Sequence, residues 1–119
     1  GDLFACDHFV FPEFKLGNIL ETPLASLTSL PALKKFGNDK RDLLTRQCRE
    51  CDFLFACHGE CPRNRFTRSC HDEDGHNYLC QGYHQFFKHV APHMDYMKKC
   101  LQRGEAPAKV METFLSKDK

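Results

Sequence analysis

The chain has no tryptophan, no long apolar run and almost no net charge, with 17 Lys and Arg against 16 Asp and Glu. Its longest apolar runs, such as Phe9-Val10-Phe11 and Phe53-Leu54-Phe55-Ala56, fall far short of the roughly 20 residues that a membrane-spanning helix needs. Balanced charge gives no global pull toward nucleic acid or an anionic membrane. A signal peptide is missing as well, and Gly1 stands where an initiator Met would be expected. The sequence therefore reads as a piece of a longer, cytoplasmic protein. Periodicity is the last absence. Residues 47–77 hold no sustained apolar repeat, and Gly59, Pro62 and Gly75 punctuate them. A stretch that long without elements of its own needs something else to organise it.

Cysteine is what the sequence has in excess. Eight stand at 6, 48, 51, 57, 61, 70, 80 and 100 of 119 residues. Four disulfides would be conceivable in a secreted protein. The tight run Cys48-x2-Cys51-x5-Cys57-x3-Cys61, followed by Cys80, argues for metal, because clustered thiolates can face one centre. Soft thiolate donors suit zinc or iron–sulfur clusters and not hard cations. Five clustered cysteines plus the remote Cys6 exceed one four-coordinate site, so two sites are expected, at least one of them incomplete here.

The remaining pattern predicts an α+β fold over a single domain, 1–119. Leu3–Cys6 and Phe9–Phe11 read as a hairpin within 1–12, turning at Asp7-His8 and stopped by Pro12. Lys15–Leu20 reads as a turn-rich link. Thr22-Pro23 opens a short helix carrying Leu24, Leu27 and Leu30. Pro31 stops or restarts it, and a second piece, 32–36, ends at Gly37-Asn38. The cysteine-rich segment runs over 47–80. A long amphipathic helix over 78–103 carries Leu79, Tyr83, Phe86, Phe87, Val90, Met94, Met97 and Leu101, with a kink or break expected near Ala91 because of Pro92. Gly104 ends it. A last helix follows, with Val110, Met111, Phe114 and Leu115 on its apolar face.

Gly1-x4-Cys6, the cluster from Cys48 to Cys61, and Cys80 resemble the SPASM extension of radical S-adenosylmethionine enzymes without its first cysteine. The flanking stretches Cys6-Asp7-His8-Phe9-Val10-Phe11-Pro12, Lys15-Leu16-Gly17-Asn18-Ile19 and Cys57-His58-Gly59-Glu60-Cys61-Pro62 resemble the anaerobic sulfatase-maturating enzymes in particular. Those enzymes oxidise a Cys or Ser of a sulfatase to formylglycine. The resemblance implies two auxiliary 4Fe–4S clusters, for electron transfer and for shaping the substrate site. Cys48, Cys51, Cys57 and Cys80 would hold the second completely. Cys6 and Cys61 would supply half of the first, with two more cysteines upstream. It also implies an upstream barrel that binds S-adenosylmethionine, a sulfatase polypeptide as partner, and Asp7 as the general base. The three-cysteine motif of the catalytic cluster is missing, so the chain is not expected to perform the radical chemistry alone.

Several residues have blander readings. Asp7 could equally be a turn aspartate bonding local amides. Cys100 reads as a small, partly buried helix residue. Cys70, beside His71, is either a loop residue or a stray ligand, and His58 reads as loop filler. Arg63, Arg65 and Arg68 have too few interleaved aromatics for nucleic acid, so they read as a solvated stretch or as compensation for cluster charge. Two other functions compete. One is a zinc-binding interaction module, which is the metal a fragment made in air could hold. The other is a SPASM enzyme modifying a ribosomal peptide.

Overall fold

A computed structural model describes residues 1–115; the side chain of Leu115, expected on the last helix's apolar face, lies outside what is described. The chain forms two compact units, Gly1–Cys80 and Gln81–Lys119.

The first unit opens with an antiparallel hairpin of β1 (Asp2–Phe4) and β2 (Lys15–Asn18), paired Asp2 to Asn18, Leu3 to Gly17 and Phe4 to Lys15 across a bulge. A hairpin was expected here, but within 1–12; its second strand is instead the stretch read as a link. Asp7-His8 lacks the glycine that favours a tight two-residue hairpin turn. The segment from Ala5 to Phe11 is accordingly a loop. Phe9, freed from any ladder, packs edge-on against Phe14 at 4.9 Å and Phe36 at 5.2 Å between ring centroids. Lys15 and Asn18 both engage the Asp2 carboxylate, at 2.9 and 3.0 Å, and pin the strand ends.

Two helices follow, α1 (Leu24–Thr28) and α2 (Pro31–Asp42). Pro23 sits at the N-cap of α1. Pro31 is the first residue of α2, where its missing N–H costs nothing. α2 does not stop at Gly37-Asn38. A glycine costs a helix interior about 1 kcal/mol. The ion pair of Lys35 with Asp39, one turn apart at 2.6 Å, and Lys40 lying over the Phe36 ring partly offset that cost.

The 47–77 segment has short elements after all: α3 (Arg46–Arg49), α4 (Leu54–Cys57), and a hairpin of β3 (Thr67–Arg68) with β4 (Asp74–His76). Each is too brief to show a period, which is why the sequence reads as irregular there.

The second unit is built on α5 (Cys80–Gln102) and α6 (Lys109–Leu115). α5 runs through Pro92 without a break. Its sheltered positions include Tyr83, Phe87, Val90, Met97 and the fully buried Cys100, while Phe86, Met94 and Leu101 stay exposed. α5 ends in a Schellman arrangement: Glu105 N–H bonds the Cys100 carbonyl, Gly104 N–H bonds that of Leu101, and Gly104 takes φ +71°. α6 packs back through Phe114, 4.2 Å from the His93 ring, and through Thr113, which donates to the Tyr96 hydroxyl. Among the described residues, no helix is long and apolar enough to cross a membrane.

The core is thin. Among the described residues the buried apolar side chains are Leu27, Leu44, Cys48 and Cys100, while Phe55, Phe66 and Leu20 are mostly exposed. Burial on this scale leaves much of the ordering entropy of the first unit to be offset by something else.

Candidate metal centre

Local geometry presents the cysteines in sequence. α3 carries Cys48, and Cys51 follows in a turn whose N–H bonds the Cys48 carbonyl. α4 then delivers Cys57 at its last residue. His58, Gly59 and Glu60 take φ of 49°, 72° and 54°, three left-handed residues in a row, and reverse the chain to Cys61. Cys80 opens α5.

Cys48, Cys51, Cys57 and Cys80 share one neighbourhood. Burial pushes the Cys57 thiol up from its ordinary value, and the charges of Cys48 and Cys51 add to this. Burial does the same to Cys80, reinforced by Cys48, Cys57, Cys51 and Cys70. Among the described residues, no three or more His, Cys, Asp or Glu side chains are drawn together tightly enough to grip an ion as they stand.

Several polar hydrogens nonetheless point at sulfur. Phe53 N–H donates to Cys51 Sγ at 3.4 Å, and Gly59 N–H bonds to Cys57. His76 Nδ1 lies 3.6 Å from Cys48 Sγ and 2.9 Å from Thr45 Oγ1. Donors of this kind favour the ionised sulfur and tune cluster potentials. Four soft thiols with backbone N–H groups aimed at two of them fit an iron–sulfur cluster or zinc. They do not fit a hard cation. The His76 ring is buried, which holds its pKa below the usual value and keeps it neutral, and its Nε2 has no partner among the described residues.

Cys6 and Cys61 lie on facing loops, because His8, two residues from Cys6, brings Nδ1 to 3.2 Å from Cys61 Sγ. Asp7 is exposed, and the Cys6 thiol donates to its Oδ1 at 3.2 Å, holding the carboxyl below its ordinary pKa. A metal-bound sulfur would no longer carry that proton. Cys70 is exposed, its N–H held by Gln47 Oε1. Cys100 belongs to the second unit.

The SPASM family, an iron–sulfur cluster-binding domain, matches residues 1–52. The chain carries a SPASM domain. Over 114 residues, or 96% of the chain, it is 55% identical to the serine-type anaerobic sulfatase-maturating enzyme of Bacteroides thetaiotaomicron and covers 28% of that protein. It is 28% identical over 79% of its length to the cysteine-type enzyme of Clostridium perfringens, covering 25% of it. Among solved structures it resembles native anSMEcpe with bound AdoMet and Kp18Cys peptide, at TM-score 0.61 and 28% identity, covering 77% of this chain and 25% of that one. The chain thus spans about a quarter of the length of these relatives.

Sequence reasoning missed two residues of the candidate site and undervalued a third. His8 and His76 touch site cysteines but carry no spacing signal, since their contacts span 53 and 28 residues. Arg65 was grouped with two surface arginines, yet its guanidinium turns inward onto the loop between Cys57 and Cys61. That loop also depends on Gly59. A Cβ there would overlap the Leu44 side chain and meet Arg65 Nη2 at 3.1 Å, at a φ that L side chains avoid. Gly59→Ala should therefore cost about 1–3 kcal/mol of stability, from left-handed strain and overpacking. Urea unfolding of the metal-loaded chain checks this, and an unchanged midpoint would mean that the loop relaxes freely.

Proposed function

We propose that this chain holds the auxiliary iron–sulfur clusters of a radical S-adenosylmethionine enzyme that oxidises a serine of a sulfatase to formylglycine. Cys48, Cys51, Cys57 and Cys80 hold the complete second cluster. Cys6 and Cys61 supply half of the first, and the remaining ligands come from elsewhere in the parent polypeptide. The observation that carries the reading is the pair of backbone N–H donors, of Phe53 and Gly59, aimed at Cys51 and Cys57 in a soft, four-thiol neighbourhood. When bound, iron–sulfur clusters supply one-electron transfer. The chain's own residues do the rest: the thiolates fix the clusters, and Asp7 Oδ1 or Oδ2 accepts the proton of the substrate hydroxyl. Serine is preferred to cysteine as the substrate because the 55% identical relative is serine-type, against 28% identity to a cysteine-type enzyme. A radical S-adenosylmethionine barrel in the same polypeptide completes the enzyme. A cytoplasmic setting would keep the eight free thiols reduced.

Anaerobic reconstitution of the full-length protein tests the reading. Iron and acid-labile sulfide should bind at about four each per complete site, and a serine-containing sulfatase peptide should lose two hydrogens by mass spectrometry. Stoichiometric zinc without sulfide would replace the cluster with a zinc module. A loaded enzyme that oxidises only cysteine peptides would overturn the substrate.

A further inference from the structure

The three arginines that follow Cys61 have separate fates. Arg63 is exposed and lies over the Phe11 ring at 4.8 Å. Arg68 is exposed and paired with Asp72 and Asp74. Arg65 is half-buried, and among the described residues its hydrogen bonds go to backbone carbonyls and to no carboxylate. Nε donates to Gly59 O at 3.0 Å, Nη2 to Glu60 O at 2.8 Å and His58 O at 3.2 Å, and Nη1 to Lys40 O at 2.8 Å.

Three of those carbonyls belong to the left-handed connector whose ends are Cys57 and Cys61. On the reading above, these two cysteines serve different clusters. The connector is therefore the shortest covalent link between the two sites, and its conformation sets how far apart they sit. Left-handed backbone at His58 and Glu60 is unfavourable for L residues and persists only when its surroundings hold it. The guanidinium does so through a planar fork of five donors, which a lysine ammonium cannot imitate. The Lys40 carbonyl, near the end of α2, ties the fork to the rest of the unit. The same cation lies within electrostatic reach of Cys48 and Cys57 of one site and Cys61 of the other.

We propose that Arg65 is the positioning residue that fixes the spacing of the two auxiliary clusters and holds a positive charge between them, making both easier to reduce. The proposal rests on the iron–sulfur reading. A half-buried cation acts on a nearby cluster more strongly than a solvated one, and net charge at the cluster is one of the levers on its potential. No role as proton donor is involved, since the guanidinium stays charged throughout.

The test is a redox titration, followed by electron paramagnetic resonance, of the anaerobically reconstituted full-length protein and its Arg65→Gln and Arg65→Lys variants. Iron and sulfide are counted in each sample. Arg65→Gln should keep its clusters while the equilibrium constant for reducing each of them falls about tenfold, or about 59 mV for a one-electron couple. Arg65→Lys should keep most of the potential, because the charge remains. Its magnetic coupling between the two reduced clusters should change, because the fork is gone. Fully loaded variants with unchanged potentials overturn the proposal, as does a shift confined to one cluster. If both variants lose iron alike, Arg65 only supports folding and the proposal also fails. A wild-type protein without iron and sulfide would sink the iron–sulfur reading itself, a result distinct from all of these.

Discussion

Stripping the metal from the chain should disorder the region from α3 to β4 and loosen the start of α5, while the β1–β2 hairpin with its Phe9, Phe14 and Phe36 cluster persists. The reason is the thinness of the apolar core. Around the candidate centre the buried apolar side chains are Leu44 and Cys48, and the elements there are two to four residues long. Structural zinc sites in small peptides contribute apparent binding energies of about 10–16 kcal/mol. Whole domains keep a net stability of roughly 5–15 kcal/mol. The metal is therefore comparable to everything else combined. Cys51→Ser should act in the same way, since it removes one of four ligands and leaves the Phe53 N–H without its sulfur acceptor. Amide exchange or a heteronuclear NMR spectrum before and after chelation reads the effect. A spectrum that stays dispersed and unchanged after verified metal removal would point to an ordinary self-sufficient core.

In the full-length enzyme, Asp7→Asn should lower turnover by about 10²–10⁴, the usual worth of a positioned general base, with iron and sulfide content unchanged. Asparagine keeps the size of the side chain and its oxygen beside Cys6 but cannot accept a proton at neutral pH. With its sulfur bound to iron, Cys6 no longer donates to Asp7 Oδ1, so that carboxylate oxygen is left open to accept a proton from the substrate. Single-turnover oxidation of a sulfatase peptide, measured alongside peptide binding, separates the base role from mere positioning. If the variant binds and oxidises peptide as well as the parent, Asp7 is only a turn residue.

How much of this was legible beforehand differs from element to element. α5 could be read almost to its ends, because 23 residues of 3.6-residue periodicity outweigh a single proline. The hairpin's existence was legible but its partner strand was not. The pairing was decided by the Phe9–Phe14–Phe36 contact and the Asp2 clamp on Lys15 and Asn18, none of which has a local signature. The same holds for α2 running through Gly37, where side-chain pairs on the finished helix outweigh the propensity of one residue.

Composition and spacing by themselves determined the chemistry of the chain. Thiolates three to six residues apart can be turned toward one centre, so Cys48, Cys51 and Cys57 mark a candidate soft-metal site before any fold is known. Only the tertiary structure decided what surrounds those sulfurs. His76 reaches Cys48 across 28 residues, His8 reaches Cys61 across 53, and Arg65 turns away from its charged neighbours to hold a left-handed loop. Ligand type follows from the identity of single residues, whereas the hydrogen bonds and charges that tune those ligands depend on which distant segments packing brings together.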